Sequence, residues 1–165
     1  MISETVVRLA KKTDLEKIME IYNQGIEDRI ATLETEAKDF SYMTKWFEQH
    51  QGRYCVLAAE KGDRVIGWAS LNPYSNRCAY DGVADISVYI AREFRGKGAG
   101  GNLLSALEKK ARENKFHKLV LFTFPFNGLG QSLYKKMGFR EVGIFQNQGV
   151  LDGEFVDVMA MEKLL

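Results

Sequence analysis

Val83-Ala84-Asp85-Ile86-Ser87-Val88-Tyr89-Ile90-Ala91-Arg92-Glu93-Phe94-Arg95-Gly96-Lys97-Gly98-Ala99-Gly100-Gly101-Asn102-Leu103-Leu104 runs a strand, a glycine-rich turn and the start of a helix together. Val83 to Ala91 is rich in β-branched and aromatic residues and reads as a long strand. Leu103, Leu104, Leu107 and Ala111 recur at helical spacing. Between them, Arg95 to Gly101 is punctuated by glycines, which let the backbone take positive φ and approach a ligand closely. The first N–H groups of a helix lack internal partners and carry partial positive charge. A glycine turn at a helix start is therefore a cradle for phosphate oxygens. Arg95 and Lys97 add mobile positive charge at the same place, which points to a pyrophosphate site. Other owners of such a turn fit less well. Gly96, Gly98 and Gly101 satisfy G-x-G-x-x-G, but no acid stands about 20 residues on, where the dinucleotide fold needs one for ribose. A Walker A loop needs Gly-Lys-Ser or Gly-Lys-Thr, and this turn offers Gly-Lys-Gly. A plain tight turn stays open on the turn alone.

Working outward, Val6 to Leu9 reads as a short strand. Thr13-Asp14-Leu15-Glu16 reads as a capping box with Thr13 as N-cap. Leu15, Ile18, Met19 and Tyr22 then form one apolar helical face. A second helix is expected over about Ser41 to His50. Tyr54 to Ala59 and Val65 to Leu71 read as a hairpin around Lys61-Gly62-Asp63-Arg64. Beyond the central run come a strand at Leu119 to Phe124, a helix at about Leu129 to Met137, and closing strands near Glu141 to Phe145 and Phe155 to Met161. The order β-α-α-β-β-β-α-β-α-β-β predicts an α/β (α+β) fold, a mixed, mostly antiparallel central sheet flanked by helices. Residues 1–165 fit one domain, with no repeat, low-complexity tract or linker.

Composition narrows the function. With 23 basic and 22 acidic side chains the net charge is +1, so nothing suggests a nucleic-acid binder. No apolar run reaches the roughly 20 residues that span a bilayer, so no membrane partner is expected. Met1-Ile2-Ser3-Glu4 has no basic region followed by an apolar stretch, so no signal peptide and a cytoplasmic location are expected. Cys55 and Cys78 are the only cysteines, and they form no C-x-x-C pair. His50 and His117 each sit alone, so packing or surface roles are expected for all four and no metal.

Arg95-x-x-Gly98-x-Gly100, after a strand and before a helix, resembles the coenzyme A signature of the GNAT acetyltransferase superfamily. Asn127, Leu133-Tyr134 and Gly138-Phe139 resemble its N-x-x-x-x-x-L-Y-x-x-x-G-F pattern. The element order is also similar, so the resemblance covers the whole chain. Ile21-Tyr22-Asn23, Thr32-Leu33-Glu34-Thr35-Glu36, Trp46-Phe47, Arg77-Cys78-Ala79-Tyr80 and Ser87-Val88-Tyr89-Ile90 resemble the phosphinothricin acetyltransferase branch. The branch implies transfer of acetyl from acetyl-coenzyme A to the amino group of a small amino acid or analogue, and a homodimer with substrate sites near the interface.

The resemblance also implies roles. Arg95, Gly96, Lys97, Gly98, Ala99 and Gly100 would hold the pyrophosphate. Backbone groups of Val88, Tyr89 and Ile90, on a strand that splays from its neighbour, would bond the pantetheine arm and the thioester oxygen, which gains negative charge as the amine adds. Asn127 would bond the same arm. Attack needs a neutral amine, whereas a free amine is mostly protonated at pH 7, so a base is required. Asp85 is the candidate, standing where branch relatives usually carry glutamate. Its shorter side chain favours a water relay, and Asp85, Ser87 and Tyr89 also alternate as any half-solvated strand face would. Tyr134 would protonate the leaving thiolate, against the alternative of a core aromatic on the Leu129, Leu133, Met137 face. Arg77 would grip the substrate carboxylate with its planar fork, against the alternative of a surface arginine. Tyr80, Thr32 and Glu34 would line the same pocket. Two other readings stay open. One is an acetyltransferase for a polyamine, aminoglycoside or peptide N-terminus. Asp28, Glu34, Glu36 and Asp39 bear on it, although they read mostly as a solvated loop. The other is a non-catalytic acyl-coenzyme A binding module.

Overall fold

The second strand of the chain opens on a continuous apolar run, Val56 to Ala59, because it is covered on both faces. The computed structural model describes residues 4–165 and forms β1 (Thr5–Leu9), α1 (Leu15–Asp28), α2 (Phe40–Gln49), β2 (Val56–Lys61), β3 (Arg64–Pro73), β4 (Val83–Ile90), α3 (Ala99–Glu113), β5 (Lys118–Thr123), α4 (Gly128–Lys136), β6 (Arg140–Leu151) and β7 (Glu154–Leu164). In β2, Leu57 and Ala59 join Leu103, Leu104 and Leu107 of α3 on one face. Val56 and Ala58 join Ile18 and Ile21 of α1 and Met43 of α2 on the other. Strand β3 is buried from Val65 to Leu71, as a central strand between two helical layers should be. The expected element order holds throughout. The reading about a signal peptide rests largely on residues 1–3, which lie outside the described residues. Among the described residues no helix is long and apolar enough to cross a membrane.

The seven strands form one sheet in the order β1-β2-β3-β4-β5-β7-β6. Every neighbouring pair is antiparallel except β4 and β5, which are parallel and joined through α3. That parallel pairing spans only Val83↔Lys118, Ala84↔Leu119 and Asp85↔Val120. Beyond Asp85 the strands part, while β4 stays paired to β3 as far as Ile90. A gap therefore opens in the middle of the sheet, with one edge of β4 unpaired along it.

The capping box is corrected. Thr13 is exposed, and α1 begins at Leu15 after a single 3₁₀ turn, Lys12–Asp14. Asp14 is the polar residue that matters here: it accepts from the Lys11 backbone N–H at 2.7 Å and ion-pairs with Arg8 of β1, also at 2.7 Å. The Asp14 carboxylate thus caps the 3₁₀ turn while Arg8, which also pairs with Glu60 of β2, ties that turn to the sheet, and α1 itself has no side-chain cap.

The path of α1 across the sheet depends on Gly25. A Cβ there would lie 2.8 Å from the ring of Tyr89, which stacks on buried Trp68 with centroids 4.9 Å apart. Gly25→Ala should therefore push the Tyr89 ring or lift the helix, destabilising the fold by about 1–3 kcal/mol, the usual size for overpacking. Denaturant unfolding of the variant checks this. A midpoint equal to that of the parent chain would show that Tyr89 yields freely.

Candidate active site

The gap between β4 and β5 is the mouth of three adjoining clefts of about 370, 160 and 280 Å³. The largest is bounded by Val88, Tyr89 and Ile90 of β4, the glycine turn, and α4. In the turn, Gly96 has φ +75° and Gly98 φ +96°, a backbone region that side-chain-bearing residues rarely adopt. A Cβ at either would meet nothing within 4 Å, so the backbone there faces open space at the first turn of α3. Deeper in the turn, a Cβ on Gly100 would lie 2.7 Å from Leu133, so glycine lets α3 and α4 pack closely around the cleft. The backbone thus leaves room for a ligand and points helix N–H groups at it, which fits a pyrophosphate.

The positive charge is arranged differently from expectation. Arg95 is not mobile: it donates to Asp28 Oδ2 at 2.6 Å and to the Ile90 carbonyl at 3.2 Å, tying the turn to the end of α1. Asp28, held below its ordinary range by Arg92 and Arg95, is a structural anchor at the end of α1 and not part of a solvated loop. Lys97 lies with Nζ 5.9 Å from the centre of the Phe94 ring, and neither it nor Ala99 lines the cleft. Lys136, in the last turn of α4, does line it and was missed. Only its place in the fold reveals it.

The smallest cleft lies where the strands part. Asp85, Tyr89, Thr123, Asn127 and Tyr134 converge on it. Burial lifts the Asp85 carboxyl to about 6, opposed by hydrogen bonds from the Asn72 amide at 3.2 Å and from the Ile86 backbone. Near neutral pH it is therefore ionised, yet basic enough to take a proton. Burial pushes the Tyr134 phenol up to about 12, so it remains a neutral donor. It packs edge-on to Phe139 and against the core while bordering both clefts. Asn127 caps α4 by accepting from Gly130 N–H at 3.1 Å, and its amide donates to Thr123 Oγ1 at 3.3 Å. Asn72 escaped the sequence reading because only strand register brings it beside Asp85, and Thr123 because it reaches Asn127 across the turn from β5 into α4.

The third cleft is more apolar, with Ala31, Thr32, Leu33, Phe122, Phe124 and Val158 along it. Its wall is clamped: Leu33 lies against Gly149 of β6, where a Cβ would approach to 2.6 Å, and Arg29 pairs with Asp152 at 2.8 Å. Thr32 borders this cleft. Glu34, expected beside it, borders none of the three clefts: it is exposed and paired with Lys38 at 2.8 Å. Arg77 and Tyr80 are also exposed, on the turn between β3 and β4, and border none of the three clefts. Cys55 is buried, Cys78 exposed, and the described residues hold no cluster of potential metal ligands.

The family model for "Acetyltransferase (GNAT) family" matches residues 15–139, which contain the glycine turn, Asp85, Asn127 and Tyr134. The chain belongs to the GNAT acetyltransferase family. Among its relatives, the L-methionine sulfoximine/L-methionine sulfone acetyltransferase of Pseudomonas aeruginosa is 28% identical over 158 residues, 94% of this chain and 92% of its own. A solved phosphinothricin acetyltransferase of Sinorhizobium meliloti, in complex with acetyl-coenzyme A, superposes with a TM-score of 0.92 at 28% identity over 98% of this chain and 88% of its own. The structure of ribosomal-protein-alanine N-acetyltransferase from Brucella melitensis gives 0.94 at 31% identity, over 97% and 99%. This GNAT chain is an acetyl-coenzyme A-dependent N-acetyltransferase.

For this acetyltransferase, Gly98→Val should abolish detectable acetyl-coenzyme A binding in calorimetry. A β-branched side chain would both strain φ +96° and fill the cradle. Circular dichroism on the same sample reports whether the variant is folded. Unchanged affinity in a folded variant would remove the turn from the pyrophosphate site.

Proposed function

We propose that the enzyme acetylates the α-amino group of a small amino acid or analogue, of the methionine sulfoximine or phosphinothricin kind. The observation that carries this is the convergence of Asp85 and Tyr134 on a small cleft joining the coenzyme cleft to one of about 280 Å³, room for one small acceptor. The glycine turn with Lys136 would hold the pyrophosphate, and the unpaired edge of β4 from Val88 to Ile90, with Asn127, the pantetheine arm. Acetyl-coenzyme A supplies an activated acyl group. Asp85, directly or through one water, takes a proton from the substrate ammonium, leaving a lone pair on nitrogen. Backbone N–H groups of β4 face the charge that grows on the thioester oxygen as the C–N bond forms. As the C–S bond breaks, the sulfur takes the Tyr134 phenol proton. Tyr134 recovers a proton from the nitrogen of the new amide, and Asp85 returns its own to solvent. The relatives named for methionine sulfoximine and phosphinothricin support this acceptor class. The Brucella protein favours a second reading, a peptide N-terminus. In either case Arg77, exposed and outside the described ion pairs, would reach a substrate carboxylate only from the β3–β4 turn.

One kinetic panel separates these readings. Asp85→Asn should lower kcat by roughly 10² to 10⁴ at neutral pH, with the loss shrinking as pH rises and more amine is neutral unaided. Wild-type kcat/KM should fall below about pH 6, as the base becomes protonated. Arg77→Ala should raise KM roughly 10- to 100-fold for carboxylated acceptors, the value of one charge-assisted bond, and leave decarboxylated amines unaffected. Wild-type kinetics in Asp85→Asn from pH 6 to 9 would refute the base. Preference for a peptide over free methionine sulfoximine would decide for the second reading.

We also infer a homodimer in the cytoplasm. Val142, Ile144, Phe145, Val150 and Phe155 stand exposed on the β6–β7 edge of the sheet, a surface that soluble monomers usually cover. The two free thiols suit a reducing compartment. Light scattering should give about twice 18.8 kDa. The monomer mass at assay concentration would contradict the dimer.

A further inference from the structure

His50 is buried at the end of α2 and has no part in the chemistry above. Both of its ring nitrogens face oxygen. Nδ1 lies 2.8 Å from the Trp46 carbonyl oxygen, and Nε2 lies 2.8 Å from Asn72 Oδ1. A backbone carbonyl can only accept, so Nδ1 carries a proton. The orientation of the Asn72 amide decides what Nε2 carries. Asn72 Nδ2 donates to Asp85 Oδ2 at 3.2 Å and to Ser87 Oγ at 3.0 Å. Its Oδ1 faces His50 and also accepts from the Ser70 hydroxyl at 2.9 Å. In this orientation Nε2 must donate as well, and the ring is an imidazolium. The Trp46 ring, with its centroid 4.6 Å from that of His50, offers a π face to the cation.

Turning the amide over reverses every demand. Nδ2 would then donate to an unprotonated Nε2. Oδ1 would face Asp85, which could satisfy it only as the protonated acid. One amide therefore links the state of a buried histidine to that of the proposed base.

We propose that His50 is a positioning residue: as an imidazolium it holds the Asn72 amide with its N–H toward Asp85, and so keeps the base as a carboxylate. This rests on the reading of Asp85 as the base. The other titratable groups at Asp85 are the phenols of Tyr89 on the same strand and Tyr134 on α4, both neutral near pH 7. From β5 comes the Thr123 hydroxyl. Around His50 stand Trp46 from its own helix and Asn72 from β3. No ion pair among the described residues includes Asp85 or His50. His50 is therefore the titratable group that the Asn72 amide links to Asp85.

Nuclear magnetic resonance of the resting protein tests this without turnover. With ¹⁵N-labelled histidine only His50 and His117 need assignment. At a pH where Asp85 is ionised, His50 should be protonated on both nitrogens. The ¹³C titration of the Asp85 carboxyl should move up by about one pH unit in His50→Phe, as one hydrogen bond to a carboxylate is lost. In His50→Gln, whose amide can still donate to Asn72 Oδ1, the titration should stay near wild type. The acid limb of kcat/KM should follow the same order. An unprotonated Nε2 in wild type while Asp85 is ionised overturns the proposal, and so does an unshifted Asp85 titration in His50→Phe. Should that variant not fold, the wild-type histidine spectrum decides alone. Failure here with kcat still lost in Asp85→Asn leaves the base standing and removes only the coupling. Success here with kcat intact in Asp85→Asn refutes the base, and the positioning role with it.

Discussion

Two parallel strands that pair over three residues and then separate impose a cost, because each strand leaves a row of backbone donors and acceptors without a ladder. In this protein β4 and β5 do so just past Asp85 and Val120. The gap persists because both of its margins are held from outside. On one margin β4 remains hydrogen-bonded to β3 as far as Ile90. On the other, β5 is held by β7 from Lys118 to Thr123. Helix α3, which links the parting strands, starts at the open end and brings its glycine turn to the gap. The unpaired edge of β4 then borders the largest cleft, and under the proposed function acetyl-coenzyme A would make the backbone bonds that a neighbouring strand would have made.

Packing on the α1 side protects that opening from collapse. Trp68, Tyr89 and Tyr22 form a contiguous aromatic group, with Tyr22 5.0 Å from Tyr89 between ring centres. The helix sits close over it because Gly25 has no side chain. The end of the same helix is tied to the glycine turn through Asp28 and Arg95. Helix, aromatic group and turn therefore keep a common spacing. Arg95 is a brace in this arrangement, and Lys136 lines the same cleft from α4.

Much of this was legible in the residues. Hydrophobic period and turn chemistry placed every strand and helix in order, because central strands buried on both faces and amphipathic helices write their burial directly into the residue pattern. The glycine turn, Asn127 and Tyr134 stood out because each lies in a local motif, and Asp85 because it stands where relatives of the branch usually carry glutamate; the structure brings Asp85, Asn127 and Tyr134 to one cleft. What escaped depends on partners distant in the chain. Thr13 had the right spacing for a cap, but it lies inside a 3₁₀ turn that Asp14 caps and ties to Arg8 of β1, and α1 starts beyond it. Arg95 was read as mobile because Asp28 lies 67 residues away. Arg77, Tyr80 and Glu34 were grouped with the pocket although nothing local sets their direction. Asn72 is paired with Asp85 by register alone.

The burial of Asp85 also has a thermodynamic side. Its folded-state titration lies near 6, against an ordinary 3.8. Between those values the folded chain holds a proton that the unfolded chain has released. By linkage, this contribution is fully present below about pH 3.8 and is lost as pH rises through about 6. The difference of roughly two pH units corresponds to about 3 kcal/mol, a sizeable part of the 5–15 kcal/mol that holds a typical domain folded. The protonation state in which the proposed base can act is thus the one in which the fold is weaker. Selection for a strong base here is selection for a less stable protein.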